Sequence, residues 1–339
     1  MRSLVIPEKG VVRVEQIAKP RVSNDTVVVR TKLTVILREH VGQWNGSDPR
    51  VRVENRQNPL FRGYPYTMTG EAVGEVDEVG PDVTDLKVGD LVASSWPHNE
   101  RHPLAVMKSR GWVKLSPGLD PEVAVSVVWG ATTLHVVRRA QITLGDNVVI
   151  VGQGPLGLQV TRWVAMAGAE QVIAVERVAS RLALSKRFGA TSVLNPDEGD
   201  VHNGVLEMTG GRGADVVINA TTSAAAFEFC MRLARKKGRV AVLSWHTQPI
   251  TIHDLTHDFY TKELEIIGSE AHGPPDELQS PWVRWTRGEN MRYVERMMAA
   301  GKFDTKPLIT HRFAVEKVEE ALRLVDEHPD QVLKAVLVW

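Results

Sequence analysis

Three glycines at a fixed spacing carry the clearest chemical meaning in this sequence. Gly152, Gly154 and Gly157 directly follow the apolar, β-branched run 147–151, and residues 158–167 after them have helical spacing. In a strand–turn–helix of this kind the first glycine permits a tight turn, the second lets a pyrophosphate approach the backbone, and the third lets helix and strand pack closely. The pattern therefore predicts a turn that binds phosphate groups at the N-terminus of a helix.

An acidic residue at the end of the next apolar run extends this prediction to a dinucleotide. Glu176 follows the predicted strand 171–175, nineteen residues after the last glycine. A carboxylate there can accept hydrogen bonds from the adenosine ribose, and it would repel a 2′-phosphate, so NAD(H) is favoured over NADP(H). Arg177 and Arg181 stand close enough to weaken that preference. The alternative is a glycine-rich turn in another α/β protein.

Polar residues at two later strand ends fit the same site. Asn219 and Ala220 end the predicted strand 215–220, and Ser244 follows the predicted strand 238–243. Ligands of open α/β sheets bind outside the carboxyl ends of the strands, so these residues are predicted to contact the cofactor.

Alternating strands and helices surround these residues and predict a parallel sheet with helices on both faces. The predicted strands are 147–151, 171–175, 215–220, 238–243 and 263–268, and the predicted helices are 155–167, 179–188, 202–209 and 223–236. Before them the chain is β-rich, with a helical segment at 121–140 that is predicted to break near Gly130. After them we predict helices at 282–300 and 317–327 and a last strand at 332–339.

Composition indicates an ordinary soluble protein. The 339 residues contain 41 basic and 41 acidic side chains, so there is no electrostatic argument for nucleic-acid or membrane binding. We see no N-terminal signal or long apolar span, and we expect a cytoplasmic protein. Cys230 is the only cysteine, which excludes an intramolecular disulfide and a cysteine-based zinc site. We expect it to be a buried, inert thiol.

Four stretches together resemble the medium-chain dehydrogenase/reductase superfamily, and the resemblance covers nearly the whole chain. They are GEAVGEVDEVGPDVTDLKVGDLV (70–92), GDNVVIVGQGPLGL (145–158), ELEIIGS (263–269) and PLITHRF (307–313). The last of them is more similar to the alcohol, polyol and threonine dehydrogenase branch than to the quinone reductases.

The resemblance implies a fold and a set of cofactor contacts. A Rossmann-type doubly wound parallel sheet, residues 130–270, would be inserted into a β-rich, GroES-like catalytic domain of residues 1–129 and 271–339, with the active site in the cleft. It also implies a small-molecule substrate and a homodimer or homotetramer, and it places Thr132 beside the nicotinamide ring. With the residues above, the predicted NAD(H)-binding set is Gly152, Gly154, Pro155, Leu156, Gly157, Glu176, Arg177, Arg181, Thr132, Asn219, Ala220 and Ser244.

The sequence departs from the zinc-dependent members of the superfamily at the metal. The resemblance places the three catalytic zinc ligands at Leu37, Gly70 and Val128, and none of these residues can ligate zinc. The four-cysteine structural zinc loop is missing as well. We therefore predict no metal, so that side chains must supply the proton transfer that the zinc site would otherwise support.

Glu39 and His40, which follow the predicted ligand position Leu37 closely, are the predicted proton carriers. His40 titrates near neutral pH in its unperturbed state and is suited to act as an acid or a base. Glu39 would orient it. The alternatives are a structural histidine and a Glu39 side chain paired with Arg38; Glu71 could pair with Arg38 in the same way.

Five residues are predicted to line the substrate pocket: Trp44, Glu71, Trp96, His98 and Trp129. The three tryptophans would form an aromatic wall for a ring or a sugar, or else a packed domain interface. His98 would face the cleft, or else lie exposed in a loop.

The function predicted from these residues is zinc-independent hydride transfer between NAD(H) and a secondary alcohol or its ketone, such as a polyol, a sugar or a cyclic alcohol. One alternative is a zinc-free reductase of the C=C bond in enones or quinones. The other is a non-catalytic NAD(H)-binding sensor.

Overall fold

The computed structural model describes residues 1–51, 63–106, 111–246, 249–271 and 273–339. Two units divide the chain. One contains Met1–Trp129 and Pro274–Trp339, and the other contains Gly130–Gly273. Within the described ranges, no helix is long and apolar enough to cross a membrane.

The first unit is built on a mainly antiparallel sheet. Its strands are β1 (Arg2–Glu8), β2 (Val11–Gln16), β3 (Thr26–Ile36), β4 (Thr69–Val79), β5 (Leu91–Pro97), β6 (Arg101–Ala105), β7 (Trp112–Lys114) and, near the C-terminus, β14 (Ile309–Ala314) and β15 (Lys334–Val338). The pairing order is β14-β15-β3-β4-β5-β7, β6 also pairs with β3, and β1 and β2 form a separate hairpin. Its helices are α1 (Arg38–Asn45), α2 (Pro121–Ala124), the start of α3 (Val127–Arg139), α8 (Arg287–Ala299) and α9 (Val318–Glu327).

The second unit is a parallel sheet with helices in its crossovers. Its strands are β8 (Asn147–Val151), β9 (Gln171–Val175), β10 (Ser192–Leu194), β11 (Ala214–Asn219), β12 (Ala234–Val242) and β13 (Glu265–Gly268). Its helices are the rest of α3, α4 (Pro155–Ala167), α5 (Ala179–Arg187), α6 (Val201–Met208), α7 (Ala224–Leu233) and the π-helical turn Thr256–Tyr260. The prediction of an α/β fold with a Rossmann-type parallel sheet is confirmed.

The order of these six strands creates the place where a ligand can bind. The sheet runs β10-β9-β8-β11-β12-β13, so the chain leaves β8 in one direction towards β9 and β10 and later returns on the other side to β11. The loops after β8 and β11 therefore diverge and open a crevice at the carboxyl edge of the sheet.

Local signals predicted several elements to within one residue and failed at others. Strands β8 and β9 and helix α4 have the predicted bounds. The predicted break near Gly130 is wrong, because α2 ends at Ala124 and α3 runs through Gly130. Helix α1 lies within the N-terminal part of the chain, for which only strands were predicted.

Helix α8 begins later than predicted, and its cap explains why. Thr286 is the N-cap: its hydroxyl accepts a hydrogen bond from the backbone of Glu289, whose carboxylate accepts from the backbone of Thr286. This capping box fixes the helix start at Arg287. Trp282 and Trp285 are therefore not on a helix, and Trp282 is almost fully exposed.

Candidate active site

The glycine loop of the second unit is shaped by steric contacts within that unit. Gly152 has φ +92°, and a Cβ there would lie 2.6 Å from the Thr221 methyl group. A Cβ on Gly157 would overlap the carbonyl oxygen of Gly152. At Gly154, by contrast, a Cβ would meet nothing within 4 Å among the described residues. Gly152 and Gly157 thus close the turn, and Gly154 leaves open space beside the backbone.

The start of α4 borders that open space. Gly154 is the N-cap and Pro155 is the first helical residue. Among the described residues, no side chain caps this end of the helix. Since the first N–H groups of a helix have no partner within the helix, those of Leu156 and Gly157 can serve an anion. The first turn of α4 contains no acidic side chain to compete with it. These residues fit the pyrophosphate of a dinucleotide.

Glu176 lies against this loop. Its Oε2 accepts a hydrogen bond from the Gln153 backbone at 2.8 Å, and its Oε1 accepts from the backbones of Arg177 at 2.8 Å and Val178 at 3.2 Å. A carboxylate offers about four acceptor positions, so about one is left for a ligand. Arg181 approaches Oε2 at 3.8 Å and offsets part of the charge. Arg177 instead approaches Asp197 at 3.5 Å and is largely exposed.

Gln153 is a loop residue that sequence reasoning missed. Its amide nitrogen donates to the Ile150 carbonyl, and its amide oxygen accepts from the hydroxyls of Thr161 and Ser185. The side chain is fully buried, so it ties the loop to β8, α4 and α5. The middle position of a G-x-G carries no sequence signal for such a role.

Predicted cofactor residues also stand at the ends of β11 and β12. The buried Asn219 ends β11, and its Oδ1 accepts from the backbone and the hydroxyl of Thr221. Ala220 donates its backbone N–H to Val151 at the end of β8. Ser244 is partly buried after β12, and Thr132 is buried in α3. Their contacts with NAD(H) stay a prediction.

In the first unit, His40 is a buried capping residue of α1. Its Nδ1 accepts a hydrogen bond from the Leu37 backbone at 3.0 Å, so its proton is on Nε2, which lies 3.0 Å from the Thr69 carbonyl oxygen. The side chain is fully buried, and burial lowers the pKa of the imidazole below 6.5 despite the nearby Glu39 charge. Both ring nitrogens are thus engaged, and the ring is neutral at neutral pH.

His98 packs against His40. The two rings meet edge to face with 5.0 Å between their centroids, and His98 is also fully buried. Its Nδ1 lies 2.8 Å from the Thr34 hydroxyl, whereas its Nε2 has no hydrogen-bond partner among the described residues. Burial, with a smaller contribution from His40, holds the pKa of His98 well below 6.5. The predicted alternative of an exposed loop histidine is wrong.

Gly70 gives these two rings their space. A Cβ on Gly70 would lie 3.0 Å from His40 Cε1, 3.0 Å from His98 Nε2 and 2.8 Å from the Val35 carbonyl oxygen. Contacts at these distances are tighter than nearly all real Cβ contacts. The two imidazoles therefore occupy the volume in which a side chain at position 70 would lie.

The two acidic candidates, Glu71 and Glu39, pair with residues other than Arg38. Glu71 is fully buried and accepts from Lys334 Nζ at 2.5 Å and from the Trp129 backbone at 3.2 Å. Glu39 pairs with Arg50 at 3.0 Å. Pairing of either acid with Arg38 is wrong, because the Arg38 guanidinium donates to the carbonyl of Val325.

Two of the predicted pocket tryptophans lie in different core clusters. Trp96 donates to the Thr31 hydroxyl and stacks on His102 within one cluster. Trp44 belongs to another cluster, beneath the Arg323 guanidinium. The packing of each is that of a core residue, and a substrate contact of Trp44, Trp96 or the half-buried Trp129 stays a prediction.

Comparisons with known proteins agree with this architecture. Residues 24–112 match the family model described as alcohol dehydrogenase GroES-like domain, and residues 155–285 match the one described as zinc-binding dehydrogenase. The chain belongs to the medium-chain dehydrogenase/reductase superfamily. The predicted superfamily and the GroES-like first unit are thereby confirmed.

Its relatives within this superfamily are dehydrogenases. The chain is 26% identical over 316 residues to D-guloside 3-dehydrogenase of Escherichia coli, covering 93% of this chain and 89% of the relative. It is 27% identical to L-threonine 3-dehydrogenase of Bacillus licheniformis, covering 96% and 94%. The fold matches the crystal structure of galactitol-1-phosphate dehydrogenase from Escherichia coli with a TM-score of 0.84, 22% identity and full coverage of both chains. The protein is an oxidoreductase of the alcohol and polyol dehydrogenase type.

The zinc implied by this superfamily does not fit the residues present. The three predicted ligand positions carry Leu37, Gly70 and Val128, whose side chains offer no donor. Of the two imidazoles that the structure describes beside Gly70, His40 has both nitrogens engaged and His98 keeps Nε2. Across the described ranges, no three or more His, Cys, Asp or Glu side chains are grouped to hold a metal ion.

Lys334 is the residue of this unit that sequence reasoning missed most clearly. It is fully buried, and its ammonium donates to Glu71 and, at 2.8 Å, to the Ser126 hydroxyl. A signal was present, since Lys334 interrupts the apolar run of the last strand. Lysine is almost never fully buried without a partner, so a lysine at this position predicts a buried acidic side chain beside it.

Proposed function

We propose that this medium-chain dehydrogenase/reductase transfers a hydride between NAD(H) and a secondary alcohol or its ketone, without zinc. Oxidation would move the hydride from the alcohol carbon to C4 of the nicotinamide and release the hydroxyl proton to water. A polyol, a sugar or a cyclic alcohol is the proposed substrate class. The names of the two relatives, a D-guloside and an L-threonine 3-dehydrogenase, support a small hydroxylated substrate.

The position of Glu176 supports NAD(H) as the cofactor. Its carboxylate is held by backbone N–H groups beside the glycine loop, where it keeps about one acceptor position for a ribose hydroxyl. A 2′-phosphate at the same place would face a negative charge. Arg181 at 3.8 Å reduces this repulsion without removing the carboxylate.

The single observation that carries zinc independence is the packing around Gly70. The rings of His40 and His98 each lie 3.0 Å from where a Cβ at that position would be, and among the described residues of this cluster one imidazole nitrogen, Nε2 of His98, has no partner. Structural and catalytic zinc sites need at least three protein ligands. In this proposal, side chains of this unit stabilise the substrate oxygen in place of a metal ion.

These contacts redistribute the roles of the two histidines. His40 can accept a proton only if Nδ1 is released by the Leu37 backbone, so its predicted role as a base, with Glu39, is opposed by its present contacts. His98 has a ring nitrogen without a partner among the described residues and a pKa far below neutrality. We propose that His98 donates a hydrogen bond to the substrate oxygen as a neutral imidazole, and that His40 holds it in place.

The proposed function is tested by NAD⁺ reduction with protein treated with a chelator and shown by metal analysis to be metal-free. The substrates are panels of polyols, sugars and cyclic alcohols. NADH formation by the metal-free protein is the expected result. Gly157→Val is the negative control, because its side chain overlaps the Gly152 carbonyl and blocks the turn. Activity that appears only after zinc is added back would overturn the proposal.

The described residues contain no group of three or more side chains that could hold a metal, which also favours a second candidate, the reduction of C=C bonds in enones or quinones. That reaction needs a proton for the α-carbon but no Lewis acid on an alkoxide. An enone and quinone panel with NADH and NADPH separates the two. Turnover of enones without turnover of any alcohol or ketone would select the second candidate.

A further inference from the structure

A histidine of the second unit lies at the same sheet edge as the glycine loop. His246 follows β12 by four residues, so it stands at the carboxyl edge. Glu176, which follows β9, marks the adenosine side of the crevice. Because a dinucleotide places one nucleotide on each half of such a sheet, the ends of β11 and β12 face the nicotinamide half.

The contacts of Asn219 fix the tautomer of His246. Asn219 Oδ1 accepts from the Thr221 backbone, so the amide nitrogen is the atom that lies 3.4 Å from His246 Nε2. An amide nitrogen can only donate, and Nε2 therefore accepts. The proton of the neutral ring is on Nδ1. Phe227, edge to face with 6.3 Å between the centroids, packs against the same ring.

The Nδ1–H group is buried and has no hydrogen-bond partner among the described residues. Buried donors almost always have an acceptor in the protein, in water or in a ligand. The nicotinamide half of NAD(H) carries such acceptors in its carboxamide oxygen and its ribose hydroxyls. Bound there, either would satisfy the donor.

We propose that His246 Nδ1–H donates a hydrogen bond to the nicotinamide half of NAD(H) and thereby fixes the orientation of the ring that carries the hydride. This rests on the proposed function, since it takes NAD(H) as the cofactor. His246 is then a cofactor-binding residue of the second unit, held by Asn219 and Phe227.

Two probes separate the halves of the cofactor. NADH contains both nucleotides, whereas ADP-ribose lacks the nicotinamide. Calorimetric titration of His246→Ala should show NADH binding weakened about three- to tenfold, the value of one neutral hydrogen bond, with ADP-ribose binding unchanged. His246→Asn, which keeps an N–H near Nδ1, should bind NADH more tightly than His246→Ala. His257→Ala, at an exposed histidine of the same unit, is the matched control and should bind both probes as the unaltered protein does.

Equal weakening for both probes, or none for NADH, would overturn the role of His246. If the unaltered protein binds neither probe, the choice of NAD(H) itself is wrong, which is a different result. If His246→Ala does not fold, the unaltered protein with ¹⁵N-labelled histidine gives the answer. NADH should change the chemical shift of the His246 Nδ1–H group, and ADP-ribose should not. A chemical shift that stays the same when NADH is added refutes the contact.

Discussion

Lys334 Nζ lies 2.5 Å from Glu71 Oε2, and both side chains are fully buried. Burial raises the pKa of Glu71, while the adjacent ammonium opposes that rise. Lys334 also donates to the Ser126 hydroxyl, and Glu71 also accepts from the Trp129 backbone. The pair thus joins β4 to β15 and to the segment before α3, next to Gly70 and the two imidazoles.

Removing the cation of this pair should strongly destabilise the protein. Lys334→Met leaves the Glu71 carboxylate buried without its partner, which typically costs about 3–5 kcal/mol. Urea unfolding measures the loss. Lys317→Met, which removes the exposed partner of Glu320, is the matched control and should change stability little. Equal stability of the two variants would show that the buried pair is not important for the fold.

A methyl group at Gly70 should also be destabilising, for a steric reason. In Gly70→Ala the new Cβ meets both imidazoles and the Val35 carbonyl, and overpacking of this kind costs about 1–3 kcal/mol. Gly199→Ala is the control, because a Cβ there meets nothing within 4 Å of the described residues. Thermal unfolding of the two variants tests the prediction, and a Gly70→Ala protein as stable as Gly199→Ala contradicts it.

The buried histidines should make the protein sensitive to acid. The pKa of His98 is far below 6.5 in the folded protein because of burial, so the unfolded chain binds its proton more tightly. The free energy of unfolding should therefore fall as the pH decreases below about 6.5, because the unfolded chain then takes up a proton that His98 in the folded protein does not. His102, whose pKa burial lowers to about 4, acts in the same direction.

This dependence is measured by urea unfolding at several pH values. His98→Gln removes the titrating group, so its stability should decline less steeply between pH 6.5 and 5 than that of the unaltered protein. An identical slope in both proteins would mean that His98 is not the group responsible.

The choice of dinucleotide should depend on Glu176. Glu176→Ser removes the charge that repels a 2′-phosphate, and it removes a charged acceptor whose hydrogen bond is worth about 1.5–3 kcal/mol. NADH affinity should fall about tenfold or more, and the ratio of NADPH to NADH affinity should rise. Titration with both cofactors tests this. A protein that already prefers NADPH before the substitution contradicts the assignment of Glu176.

Sequence reasoning was most accurate where local pattern and tertiary structure agree. The β8–α4–β9 segment was predicted with its observed bounds, since apolar periodicity and three glycines specify a strand, a turn and a helix within a short stretch. Gly130 misled the prediction of α3. It lies inside α3, where its carbonyl accepts from Trp163 and Thr133, so this glycine does not end the helix.

The sequence by itself determined the superfamily, the parallel sheet, the glycine loop and the absence of donors at the three expected metal positions. Each of these is a matter of residue type and short spacing. Only the tertiary structure decided what His40, His98 and Glu71 do, because their partners Thr69, Thr34 and Lys334 lie at least 29 positions away in the chain. The sequence does not distinguish a histidine that caps a helix in the core from one that transfers a proton. Burial and hydrogen-bond partners distinguish these two roles, and both depend on the tertiary structure.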